Sequence, residues 1–174
     1  SMATTDTASS SSRSPRFAAA GALMWWVFVC YGASAIGALG TRNAPVFYAG
    51  LDLPGWAPPA WVFGPVWTVL YAMMAVSAWR MWRRRPFDGS GFSFGLFGLQ
   101  LAVNSLWSWV FFAWRQGMWS VVTIVVLWAL VFTVQWRFRR VDATAANLLL
   151  PYQAWLTFAA ALAWVSWQRN PGML

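Results

Sequence analysis

The chain has 174 residues, one domain's length, of which 60% are apolar and 9% charged, against about 25% charged in an average soluble domain. Arg supplies all twelve bases and Asp all four acids, for a net charge of +8, with no His and a single Cys. This excludes a soluble globular surface, an intrachain disulfide, a cysteine zinc site, and acid–base, metal or haem-ligand chemistry built on histidine. The bases lie in short clusters between apolar runs, not along one solvated face, so nucleic acid is not an expected partner.

Residues 1–16 are rich in Ser and Thr and read as a disordered tail, with Ser1-Met2 set aside as a cloning remnant. Beyond them, five stretches carry no charge: 17–41, 53–79, 89–114, 116–136 and 143–168. About 20 apolar residues cross a bilayer as a helix. The expected fold is therefore an all-α membrane protein, a bundle of five transmembrane helices at 18–40, 59–82, 92–114, 118–137 and 144–167, within one domain of residues 17–170. Residues 171–174 form a short C-terminal tail. The first span is too long for a signal-peptide core and is followed by four more, so it is kept as a membrane helix.

Five spans put the termini on opposite sides. The N-terminal side carries Arg13, Arg16, Arg80, Arg83, Arg84, Arg85, Arg137, Arg139 and Arg140; the other side has Arg42, Arg115 and Arg169. The positive-inside rule then predicts a cytoplasmic N-terminus and an external C-terminus, in a membrane of bacterial type. Of sixteen Trp, Trp79, Trp82, Trp114, Trp119, Trp136, Trp164 and Trp167 suit an interfacial belt. Trp67, Trp107, Trp128 and Trp155 fall inside spans, where packing and ligand contact are both open readings.

The second span opens with Trp56-Ala57-Pro58-Pro59 and places Trp67, Tyr71 and Met74 on one face; Pro65, and Pro151 in the fifth span, should kink or widen the bundle. In the third span, Gln100, Asn104, Trp107 and Phe111 share a face. Amides inside a span must meet protein or a cavity, since lipid offers no partner; interhelical bonding explains them equally well. Gly91, Gly95 and Gly98 suit either intrachain packing or a homodimer seam. The fifth span aligns Tyr152, Trp155, Ala159 and Leu162. These stripes converge in the outer half of the bundle, an aromatic pocket for a flat hydrophobic ligand. The long first loop would lie over its mouth, with Arg42 and Arg169 on that side.

Several of these segments resemble a known family. The blocks are Phe47-Tyr48-Ala49-Gly50-Leu51, then Leu53-Pro54-Gly55-Trp56-Ala57-Pro58-Pro59-Ala60-Trp61-Val62-Phe63-Gly64-Pro65-Val66-Trp67-Thr68-Val69-Leu70-Tyr71. Gln100-Leu101-Ala102-Val103-Asn104-Ser105-Leu106-Trp107, Arg115-Gln116-Gly117-Met118-Trp119 and Pro151-Tyr152-Gln153-Ala154-Trp155-Leu156 add to them. Together they resemble the translocator protein family, the tryptophan-rich sensory proteins or peripheral-type benzodiazepine receptors, from about Val27 to Asn170.

The resemblance implies a five-helix bundle, commonly a homodimer. It implies binding of porphyrins and, in some members, of sterols and benzodiazepine or isoquinoline ligands. It carries ligand-binding positions over to Trp56, Asn104, Trp107, Trp119, Trp155, Ala159 and Leu162; Trp67, Tyr71, Phe111 and Tyr152 complete the candidate set. Two departures stand out. Trp164 takes the place of the Tyr of the mammalian sterol motif, whose base is displaced by one residue, and Ala163 stands where Asn is usual.

The leading expectation is a non-enzymatic tetrapyrrole sensor or translocator without a cofactor, porphyrin being its ligand and the bilayer its surroundings. The alternatives are Trp-dependent oxidative or photochemical porphyrin breakdown, and a structural assembly partner. Proton-coupled transport is disfavoured because no ionisable acid or base lies within the five charge-free stretches.

Overall fold

The computed structural model describes residues 15–174; the tail expected over 1–16 lies outside them except for Pro15 and Arg16, which belong to the first helical turn. The helices are α1 (Pro15–Gly40), α2 (Ala44–Ala49), α3 (Phe63–Arg83), α4 (Ser90–Ser108), α5 (Gly117–Arg139), α6 (Ala143–Asn147) and α7 (Leu150–Arg169). Among the described residues, five helical segments are long and apolar enough to cross a membrane: α1, α3 with its leading 3₁₀ turn, α4 with its trailing π turn, α5, and α6–α7 taken together. No strand occurs among the described residues.

The outer surface is what lipid requires. Met24, Trp25, Phe28, Val69, Val125, Phe132 and Trp164 all stand exposed on the outside of the bundle, and in water such a surface would aggregate. Trp114, Trp119 and Trp136 are exposed near helix ends, as a belt requires, while Trp107 is buried. The centre is packed with Met74, Phe97, Ile124, Leu127, Leu156 and Phe138, each fully enclosed.

Polar side chains tie the helices where lipid would leave them unpaired. Ser105 Oγ donates to the Ala33 carbonyl at 2.7 Å and Trp109 Nε1 to the Ile36 carbonyl at 2.9 Å, pinning α4 to α1. Glycines admit this approach: a Cβ on Gly40 would stand 2.8 Å from the Trp109 ring. At the start of α5, a Cβ on Gly117 would collide with the Trp167 indole. Gly91, Gly95 and Gly98 behave otherwise. Nothing among the described residues lies within 4 Å of a Cβ on any of them, so packing among those residues does not account for that stripe.

Of the two proline expectations, that for Pro65 needs correcting. Pro65 sits in the first turn of α3, just after a 3₁₀ turn at Ala60–Val62, where first-turn N–H groups have no helical partner to lose. Pro151 lies at the start of α7, and the helix of the fifth span is interrupted just before it, at Leu148–Leu149, where the missing Pro151 N–H is expected to disturb it. The third span ends in a π turn over Trp109–Ala113, in which the Trp114 N–H donates to the Trp109 carbonyl at 2.8 Å. The wider turn lets three consecutive residues, Val110, Phe111 and Phe112, all be buried. Arg115 follows with φ of 52°, a conformation that few residues other than Gly adopt, and turns the chain into α5.

Candidate functional site: an aromatic cavity beneath the first loop

At the end of the bundle that holds the C-terminus, α1, α2, α3 and α4 enclose a cavity of about 340 Å³. Ser34, Gly37, Ala38 and Thr41 of α1 form one wall. Ala44, Pro45 and Tyr48 of α2 roof it. Phe63, Trp67, Thr68 and Tyr71 of α3 line the second wall, and Asn104, Ser108 and Phe112 close the third. The size falls at the low end of ligand pockets, about 300–1,000 Å³. The lining is mostly apolar and aromatic, with the hydroxyls of Ser34, Thr41, Thr68 and Ser108 and the Asn104 amide set into it, a mixture common in such pockets.

The roof is held by local bonds. Tyr48 donates its hydroxyl proton to the Pro58 carbonyl at 2.7 Å, folding the proline-rich turn over α2, and burial pushes the Tyr48 phenol above its ordinary pKa. Its ring stands edge-on to Phe63, with centroids 5.4 Å apart. A second, more open hollow of about 410 Å³ lies under the turn and shares Pro45, Tyr48 and Ala60 with the first. Tyr48 thus divides two adjoining spaces.

The faces expected of the second, third and fifth spans do meet, but by close packing. Asn104 Nδ2 donates to the Tyr152 hydroxyl at 2.7 Å, and that hydroxyl donates to Gln100 Oε1 at 2.8 Å. This chain joins α4 to α7 in the interior and leaves Asn104 Oδ1 as an acceptor beside the cavity. Trp67 packs against Tyr71, Tyr152 and Trp155 with centroids 5.8, 6.1 and 6.3 Å apart. Phe63 packs against Trp155 at 5.7 Å. Phe63 and Trp67 therefore form a partition, with the cavity on the α1 side and Tyr152 and Trp155 of α7 behind it.

Of the candidate residues, Trp67, Tyr71 and Asn104 line the cavity. Trp107 and Phe111 are stacked at 5.4 Å and buried behind Phe112. Tyr152, Ala159 and Leu162 are buried in the core, and Trp155 is half-buried. Trp56 sits in the loop against Phe158, half exposed, and Trp119 is exposed on α5. The indole N–H groups of Trp107 and Trp155 have no hydrogen-bond partner among the described residues, an uncommon state for buried donors. Of the two, Trp155 packs against the partition.

Sequence reasoning missed the α1 wall, the α2 roof and Phe63, Thr68, Ser108 and Phe112. The run Ala33-Ser34-Ala35 through Gly37-Ala38 and Gly40-Thr41 was a usable signal, since a stretch of small residues leaves room between helices. It lies in the first span, where no polar or aromatic stripe drew attention.

The sequence profile of the TspO/MBR family matches residues 18–168. The chain is 39% identical over 134 residues to the Translocator protein of Homo sapiens, covering 72% of this chain and 76% of that one. It is 37% identical over 132 residues to the Translocator protein of Sus scrofa, with 72% and 76% covered. To the Tryptophan-rich sensory protein of Cereibacter sphaeroides it is 34% identical over 142 residues, with 79% and 87% covered. With five membrane-spanning segments and a profile match over nearly all of them, this chain is an integral membrane protein and belongs to the TspO/MBR family.

Proposed function

We propose that this protein binds tetrapyrroles, porphyrins in particular, in the cavity beneath the first loop, as a sensor or translocator and not as an enzyme. The observation that carries the reading is the cavity itself: a space walled by Phe63, Trp67, Tyr71 and Phe112, with the Asn104 amide and the Ser34, Thr41, Thr68 and Ser108 hydroxyls among its polar groups. A flat apolar ring suits such walls, stacking face or edge on aromatic side chains. A whole macrocycle needs more room than this one space gives. Rotation of Tyr48 would join the two adjoining hollows.

The relatives carry names of translocation and of sensing, and ligand binding is the step common to both. The cavity lies on the side with few Arg, so the same reading places its mouth and the C-terminus outside a bacterial membrane, with the N-terminus in the cytoplasm. It takes the protein as a homodimer, with the open Gly91, Gly95 and Gly98 stripe as the seam.

The test is a titration of the detergent-purified protein with protoporphyrin IX, followed by Trp fluorescence. Saturable quenching is expected, with equal affinity for the metal-free and iron-loaded rings, because this chain has no imidazole to ligate iron. Non-saturable quenching, or a strong preference for the iron form, would count against the reading.

A further inference from the structure

We propose that the cleft at the Arg-rich end of α3 binds the phosphate of an anionic membrane phospholipid. The cleft, about 230 Å³, lies at the far end of the bundle from the aromatic cavity and is lined by Arg80, Arg83, Arg84 and Asp142. Three cations therefore face one anion, and that anion is already engaged. Asp142 Oδ1 accepts from the Thr144 and Ala145 N–H groups at 3.0 and 3.3 Å, capping α6. Its carboxylate also takes Arg80 through Nε at 3.0 Å and Nη2 at 3.3 Å. Arg84 touches it only through Nε, at 3.7 Å. Arg83 has no carboxylate partner among the described residues.

Arg83 is nonetheless held in place. Its guanidinium lies 4.7 Å from the centre of the Trp79 ring, and the Trp79 N–H is fixed by the Ala19 carbonyl at 2.8 Å. The cleft is thus a positioned set of guanidinium donors carrying surplus charge. Guanidinium forks match phosphate oxygens two at a time. The end of a membrane span puts these forks at headgroup depth, where anionic lipids are the abundant phosphate source. A zwitterionic headgroup brings a cation that the surplus charge repels, so the cleft should select anionic lipid.

The experiment is native mass spectrometry of the full chain from micelles holding equal phosphatidylglycerol and phosphatidylcholine. Four proteins are compared: wild type, Arg83→Gln, Arg83→Gln/Arg84→Gln, and Arg139→Gln/Arg140→Gln. The last pair removes the same charge on the same side but outside the cleft. Wild type and the control pair should retain phosphatidylglycerol preferentially. The cleft pair should lose that preference about tenfold, with Arg83→Gln intermediate and its melting temperature little changed, since it breaks no ion pair and only the contact with the Trp79 ring. Equal loss in both pairs, or no preference in wild type, would overturn the proposal. Displacement of the lipid by a modest excess of inorganic phosphate would also overturn it, in favour of a soluble phosphate ligand.

Discussion

The side-chain amide of Asn170 grips the backbone of Asp52 from both sides, its Oδ1 accepting from the Asp52 N–H at 2.8 Å and its Nδ2 donating to the Asp52 carbonyl at 3.0 Å. The same Nδ2 donates to the Ser166 carbonyl at 2.8 Å, so the buried amide belongs to α7 and holds the first loop to it. Arg169 adds a bond to the Leu53 carbonyl at 3.3 Å. The loop that roofs the cavity is thereby latched to the C-terminal end of the last helix.

Asn170→Ala removes that latch and strands two backbone groups of Asp52, each costing about 1–3 kcal/mol if it stays buried. The loop will open instead, since water then satisfies both groups. Hydrogen exchange over residues 44–56 should quicken by at least about tenfold, with the α4 and α5 amides unchanged. Porphyrin dissociation should quicken in step. Unaltered exchange in the loop would mean that α2 packing alone holds the roof.

Asp142 ties α3 to α6. Burial raises its pKa, but the Arg80 hydrogen bond, the Ala145 N–H and the charges of Arg80 and Arg84 pull harder, and the net shift is downward. A lowered folded-state pKa means stability that is present above the unfolded value, about 3.9, and lost as pH falls through the folded one. Asp142→Asn keeps a capping oxygen and loses the charge. It should be less stable near neutrality by about 1 kcal/mol, a small figure because Arg84 is half exposed. Its melting temperature should converge with that of wild type under acid. Parallel curves at all pH values would show that the ion pair contributes nothing.

The five spans were legible because bilayer thickness sets a length that charges cannot interrupt, and Arg42, Arg80, Arg115, Arg137 and Arg169 marked those limits closely. The stripes on α3, α4 and α7 were legible for the same reason: in an apolar interior Gln100, Asn104 and Tyr152 bond one another, and the Gln100 amide reaches Met74 Sδ at 3.8 Å. What a period of 3.6 could not show was the π turn at Trp109–Ala113, which brings Phe112 to the cavity beside a buried Phe111. Nor could it show which side of Trp67 is hollow. That depends on the volume left by Ser34, Gly37 and Ala38 in a helix without a polar or aromatic stripe.

Ala159→Thr separates packing from ligand contact. Ala159 is buried in α7, and the added atoms overpack the core at a typical cost of about 1–3 kcal/mol. The new hydroxyl can also bond back to the Trp155 carbonyl and bend the helix. The melting temperature should fall while the protein stays monodisperse, and porphyrin affinity should weaken through the displaced Trp155 and Trp67. An unchanged melting temperature would show that the space beside Ala159 is larger than its burial implies.

Gly95→Leu tests the seam. Nothing among the described residues lies within 4 Å of a Cβ at this position, so the monomer should fold and melt almost as wild type does. If the stripe joins two copies, cross-linking and light scattering in detergent should show the dimer reduced. A dimer that persists unchanged would move the seam elsewhere.

The most direct test of the binding account is porphyrin titration of Ser34→Phe. Ser34 lines the cavity from α1, far along the chain from every residue of α7, and a phenyl ring there fills the space without crossing the partition of Phe63 and Trp67. The account predicts affinity for protoporphyrin IX reduced by at least about tenfold with the melting temperature retained. Wild-type affinity in a protein whose cavity has been filled would contradict it.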